Sequence, residues 1–226
     1  MILYRPTDGD VDTDPVPWRP RTCFLMGAMG GQLPAVVTDT RKRVTTALKR
    51  AKFDTIDAGS ATTGKDFLLK IWRLAVACPV GIAVVHEGIR PETLANVYYE
   101  LGWMQAYGRE TVVIKVGDVR LPSDLVRTEY IALDERFTQG LADFLTSLGE
   151  RAAYYETLAG ELEANPLLAI DYLRRAYLLT GDATLRRRAH RVFARSGLDE
   201  RARNSVERLL VSFASPAARR SRARGG

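Results

Sequence analysis

The chain is expected to fold as α/β: a flavodoxin-like, doubly wound, parallel five-stranded sheet followed by an α-helical C-terminal region. Three observations predict this. From residue 21 onward, short apolar runs alternate with amphipathic segments in the order β-α-β-α-β-α-β; parallel neighbours need such crossovers, whose helices cover both faces of the sheet. The runs at 22–26 and 81–85 are continuously apolar, as befits strands buried on both sides. From about Phe137 the strand signals stop and one helical pattern follows another.

Residues 1–20, rich in Asp and Pro, read as an irregular N-terminal arm. Residues 22–26 are the first strand, ending at Gly27. Residues 38–50 form a basic helix with Val44, Ala47 and Leu48 inward, and residues 53–57 the second strand. Residues 65–77 are a strongly apolar helix that Pro79 stops, since proline cannot continue it. Residues 81–85 are the third strand. The next helix runs from about Thr93 to Tyr107 with Gly108 after its end, where a left-handed residue commonly closes a helix. Residues 111–116 and 129–133 complete the sheet. Asn165-Pro166 opens a helix, residues 183–195 a second after the Gly181-Asp182 turn, and residues 198–213 a third. The pair at 165–195 is loosely similar to one tetratricopeptide hairpin, and one hairpin makes no array. This divides the chain into an arm (1–20), an α/β catalytic domain (21–136), a helical domain (137–214) and a basic disordered tail (215–226).

Of the 226 residues, 46% are hydrophobic, and no segment approaches the roughly 20 apolar residues that span a bilayer. The start Met1-Ile2-Leu3-Tyr4-Arg5-Pro6 lacks the basic and apolar regions of a signal peptide, so a cytoplasmic protein without membrane contact is expected. Cys23 and Cys78 lie in apolar runs, as buried reduced thiols do, and two Cys with two His form no metal pattern. The net charge of +6 is uneven: residues 1–150 hold 18 Lys+Arg against 19 Asp+Glu, and residues 151–226 hold 15 against 8. Every Lys or Arg position after Lys115 is Arg, a bias that genome composition produces without selection for phosphate binding, so a solvated basic face is expected there and nucleic acid is not the expected partner.

The segment 96–103 carries the chemistry. Glu100 is the one carboxylate in an otherwise apolar and aromatic stretch, Asn96 stands one turn before it on the same face, and Leu94, Val97, Leu101 and Met104 make a separate apolar stripe. A carboxylate so placed can serve as nucleophile or general base; the alternative is a solvated Glu on a surface helix. In a sheet of order 2-1-3-4-5, ligands sit at the carboxyl ends of strands one and three, where the order reverses. The loop 27–31 and the end of strand three at His86 meet there, and the Glu100 helix starts just beyond. Gly27, Ala28 and Met29 offer backbone N–H groups to a ribose or phosphate; Asp57, closing strand two, His86 and Asn96 complete the candidate substrate contacts. The loop matches neither a Walker loop nor the dinucleotide fingerprint.

The block Asn96-Val97-Tyr98-Tyr99-Glu100-Leu101-Gly102, followed by Gly108-Arg109-Glu110-Thr111-Val112-Val113-Ile114, resembles the signature of TIR-like domains, in the bacterial subgroup described as predicted nucleotide-binding proteins. Leu121-Pro122-Ser123-Asp124-Leu125 with Tyr130-Ile131 is similar to that subgroup's segment after the fourth strand. The same Glu-Leu-Gly block, with Met26-Gly27-Ala28, also resembles nucleoside 2-deoxyribosyltransferases and nucleotide N-glycosidases. The resemblance spans about residues 21–133. It implies that Glu100 is the catalytic carboxylate and Asn96 its positioning partner in cleaving a bond between C1′ of a ribose and a base. It further implies an NAD glycohydrolase, with NAD as substrate rather than cofactor, in a bacterial antiviral defence or signalling role. Cys78-Pro79-Val80, where the transferases carry Asp, favours NAD over nucleoside transfer. A nucleoside or nucleotide N-glycosidase or deoxyribosyltransferase is the alternative, and a non-catalytic nucleotide-binding module a third. The expected partners are the nucleotide substrate and, through the C-terminal helices, a second copy or another protein.

Overall fold

A computed structural model describes residues 4–12, 16–28, 32–61, 66–122, 130–197, 210 and 213. Five strands, β1 (Thr22–Gly27), β2 (Asp54–Asp57), β3 (Val80–His86), β4 (Glu110–Val116) and β5 (Tyr130–Ala132), form one parallel sheet in the order β2-β1-β3-β4-β5. Strand order therefore reverses between β1 and β3, which pair from Cys23–Val80 to Gly27–Val84. All seven residues of β3 are buried, which is why that run carries no polar alternation.

The pleat sends alternate side chains to opposite faces. Cys23, Leu25, Val80, Ile82, Val84, Val112 and Ile114 meet helix α1 (Ala35–Arg50) and the first half of α4 (Phe137–Glu161) through Val37, Val44, Leu48, Phe137, Leu141 and Phe144. Phe24, Met26, Ala83, Val85 and Val113 meet α2 (Phe67–Ala77) and α3 (Pro91–Ala106) through Ile71, Ala75, Val97, Leu101 and Met104. Gly81 lies close under that layer: an added Cβ would overlap the Met104 sulfur and come within 2.9 Å of the Met26 methyl, so both flexible side chains would have to shift.

A third cluster joins α2 to the C-terminal helices α5 (Pro166–Thr180) and α6 (Ala183–Arg195). Trp72 and Val76 of α2 meet Ile170, Leu173, Tyr177, Leu185 and Ala189. Asn165 caps α5 by accepting from Leu168 N–H, Gly181 ends it at φ +72°, and Asp182 caps α6 by accepting from Thr184 N–H at 2.7 Å. The 25-residue α4 serves both layers: its first half packs on the sheet, and Ala159 near its end lies in the third cluster.

The N-terminal arm is irregular in path, with one isolated antiparallel bridge between Tyr4 and Val11, yet Val16 and Trp18 are buried in the third cluster. Two buried guanidiniums lie over the Trp18 ring, that of Arg109 at 5.0 Å and that of Arg174 at 4.4 Å. Asp12 of the arm is ion-paired with Arg73 of α2. Of the expected helix at 198–213, only Leu210 and Phe213 are described; both are buried, Phe213 against Tyr177 at 5.4 Å. The tail from 215 onward is outside the described residues.

Candidate active site

The sheet puts the expected contacts on two sides of its carboxyl edge. Asp57 is the register partner of Leu25, Gly27 of Val84, and His86 of Val116. All three therefore share the α1 face, since register partners in a parallel sheet point the same way. Gly27 is tightly surrounded: a Cβ there would come within 3.0 Å of the Val84 carbonyl and 3.1 Å of Arg41. Arg41 of α1 ties this side together, donating to the Ala28 carbonyl at 3.2 Å and standing 3.6 Å from the Asp57 carboxylate. The engaged Ala28 group is thus a carbonyl, an acceptor. Met29 and the rest of the loop to Gly31 lie outside the described residues.

Arg41 is not among the expected site residues. The signal for it is present in the sequence: Val37, Arg41, Val44 and Leu48 recur at helical spacing, which sets one cation on the apolar side of a basic helix. His86 is buried, and its Nδ1 lies 2.8 Å from the Glu87 carbonyl; its Nε2 is buried without a partner among the described residues. That contact fixes the ring to the loop following β3.

Glu100 and Asn96 belong to α3, on the opposite face of the sheet. The structure therefore does not gather all the expected contacts into one shell. Leu101, Val97 and Met104 are the buried stripe of α3, Asn96 is exposed and Glu100 half-buried. Tyr107 follows Glu100 by seven residues, close to two helical turns, so both occupy one side of the helix line. The Tyr107 ring sits 6.1 Å from that of Trp72 on α2, so this side faces the crevice between α2 and α3.

Depth along the crevice follows from register. Val80 and Glu110 are partners, and α2 and α3 run into those strands through short turns, so the two helices end nearly level. Counting back along each helix sets Glu100 level with Lys70 and Ile71 in α2; Phe67 and Leu68, about a turn earlier, are 47% and 41% exposed. On α3 the Tyr99 and Trp103 rings pack at a tilt of 53° with centroids 4.3 Å apart.

Glu100 makes no hydrogen bond or ion pair with a described residue. Burial alone raises its carboxyl from 4.5 to about 7, because desolvation disfavours the charged form and no cation or donor opposes it. Two residues earlier, the Tyr98 hydroxyl is buried without a partner among the described residues, and its ionisation is likewise pushed up by desolvation.

No group of three or more His, Cys, Asp or Glu that could hold a metal exists among the described residues. No described helix is long and apolar enough to cross a membrane.

No family model matches the chain, and no curated protein matches it. Among solved structures it is similar to the CMP N-glycosidase BcmB of Clostridium botulinum. The two are 18% identical with a TM-score of 0.36, over 56% of this chain and 96% of that one. A likeness this distant transfers no chemistry.

Proposed function

We propose that the chain hydrolyses the N-glycosyl bond at C1′ of a ribose, with Glu100 as the catalytic carboxylate and NAD as substrate. The supporting observation is a desolvated carboxyl group, free of hydrogen bonds and ion pairs with described residues, on the side of α3 turned towards α2. The C1′–N bond breaks, the pyridinium nitrogen takes the bonding pair, and nicotinamide leaves neutral without needing a proton. The oxocarbenium-like C1′ is stabilised or trapped by ionised Glu100. Water then attacks C1′ and loses a proton to solvent, giving ADP-ribose. Asn96, one turn towards the mouth, is placed to hold a ribose hydroxyl. The exposed Phe67 and Leu68 suit the flat face of a base.

The same carboxyl group favours a second reading, cleavage of a nucleoside or nucleotide. A neutral base needs a proton to leave, and a carboxyl group ionising near 7 is half protonated at neutral pH.

The test is to incubate wild type and Glu100→Ala with NAD, and separately with nucleosides and nucleotides, following released base by chromatography. Nicotinamide from wild type alone supports the first reading; a nucleobase from wild type alone moves the substrate to the second. Equal release by both proteins removes Glu100 from the mechanism, and no release at high protein concentration removes the enzymatic reading.

A further inference from the structure

The arginines of the C-terminal helices line a groove that the Glu100 chemistry does not use. Between the end of α4, the start of α5 and the face of α6 lies a groove of about 260 Å3, bounded by Glu163, Pro166, Arg188, Arg191 and Arg195. Arg188, Arg191 and Arg195 fall at i, i+3 and i+7, so one stripe of α6 presents all three guanidiniums. Arg188 stands 3.6 Å from the Glu163 carboxylate. Arg191 and Arg195 are exposed, and neither is paired with a described residue.

The surroundings add to the positive charge. Pro166, the first residue of α5, lines the groove, and the first turn of that helix holds no acidic residue. Three guanidiniums thus face one carboxylate. Helix α6 carries five arginines within 13 residues and no acid, and like charges three and four apart weaken a helix. Packing does not require that arrangement, because the buried side of α6 is Leu185 and Ala189.

We propose that this groove binds phosphate groups, with Arg188, Arg191 and Arg195 as its ligating side chains, at a site separate from Glu100. Guanidinium forks match phosphate oxygens in paired hydrogen bonds, which makes phosphate the anion class this face fits. The volume is below the roughly 300–1,000 Å3 of pockets that enclose a drug-sized ligand, so the groove takes phosphate moieties and not a whole nucleotide. Among the described residues no aromatic side chain lines it, so these offer no stacking platform for bases. The phosphates come either from a free polyphosphate or from a nucleic-acid backbone. Residues 198–226 add seven arginines against three acidic residues immediately after α6, a charge excess suited to a long polyanion.

The test uses the full chain with two probes: pyrophosphate by calorimetry, and a fluorescein-labelled single-stranded oligothymidylate by anisotropy. Arg191→Glu with Arg195→Glu is compared with Lys49→Glu and Arg50→Glu, an equal charge change on exposed positions of α1. The groove variant is expected to weaken both probes at least tenfold, while the α1 variant changes either less than threefold. Its salt dependence for the oligonucleotide should flatten by about 1.4, since each lost phosphate contact on a single strand contributes about 0.7 to the slope. Tighter binding of the oligonucleotide than of pyrophosphate assigns the backbone as the source, and the reverse assigns a free polyphosphate. Glu163→Gln, which frees Arg188, should tighten binding, and Glu100→Ala should leave it unchanged. No binding of either probe at millimolar concentration, or equal loss in both charge variants, overturns the proposal.

Discussion

Replacing Glu100 with Gln should make the protein more stable at alkaline pH and leave it unchanged in acid. Burial raises the carboxyl from 4.5 to about 7, so the folded state disfavours its ionisation. The unfolded chain ionises the group near its ordinary value; the folded chain does so only near 7. Below about 4.5 both states hold the proton and the group costs nothing. As pH rises from 4.5 to 7 the unfolded state loses its proton first, and stability falls. Above 7 the penalty is complete. Each pH unit separating the two ionisation midpoints is worth about 1.36 kcal/mol, which caps the penalty at ~3.4 kcal/mol; partial solvation of a half-buried group reduces it to about 2–3 kcal/mol. With a urea slope of about 2–3 kcal/mol/M, Glu100→Gln should raise the unfolding midpoint by about 1 M at pH 8.5 and by nothing measurable at pH 4.5. Urea titrations followed by circular dichroism at the two pH values measure this directly. A structural Glu would give the opposite sign, since removing a useful contact destabilises. A variant that loses stability at both pH values, or gains equally at both, would refute the reasoning.

Three further outcomes follow from the same geometry. If Glu100 acts ionised on NAD, kcat should rise with pH through about 7 to a plateau; if it acts as the acid for a neutral base, kcat should fall through the same value, and a stopped assay from pH 5 to 9 separates the two. Trp18→Ala should cost about 3–5 kcal/mol, the range for truncating a large buried aromatic side chain, read as a lowered thermal midpoint. Cys23 and Cys78 are fully buried, and burial pushes Cys78 up to about 12 and raises Cys23 as well. Neither should therefore react with a thiol reagent at pH 8 until denaturant is added, as an absorbance time course would show.

The sheet was legible because a parallel strand covered on both faces has no room for polar alternation. The runs at 22–26 and 81–85 correspond to β1 and β3, and the strand order 2-1-3-4-5 is as expected. The apolar stripe of α3 was legible for a similar reason: Val97, Leu101 and Met104 recur at helical spacing and all three are buried. Facing was harder to read than position. Gly27, Asp57 and His86 share the carboxyl edge with the start of the Glu100 helix, yet pleat parity sends them to the α1 side. That parity was available in the alternation from Ile82 through Val84 to His86. The burial of Trp18 had no such local signal. Its partners Arg109 and Arg174 lie 91 and 156 residues away, and the arm around it has no period to read.

That remote contact bears on Glu100. An unpaired, desolvated carboxyl group gains by reaching water, and a helix free to shift or fray would let it do so. Helix α3 is held at its C-terminal end. At its end, Gly108 turns the chain at φ +64°, and Arg109 N–H donates to the Met104 carbonyl at 2.9 Å. The Arg109 guanidinium then lies over Trp18, whose other neighbour is Arg174 of α5. The arm and the C-terminal helices therefore brace the helix that carries the desolvated carboxyl group. A site that keeps a carboxyl group out of water at a cost to folding needs such bracing from outside its own layer. In this chain the arm and α5 provide it.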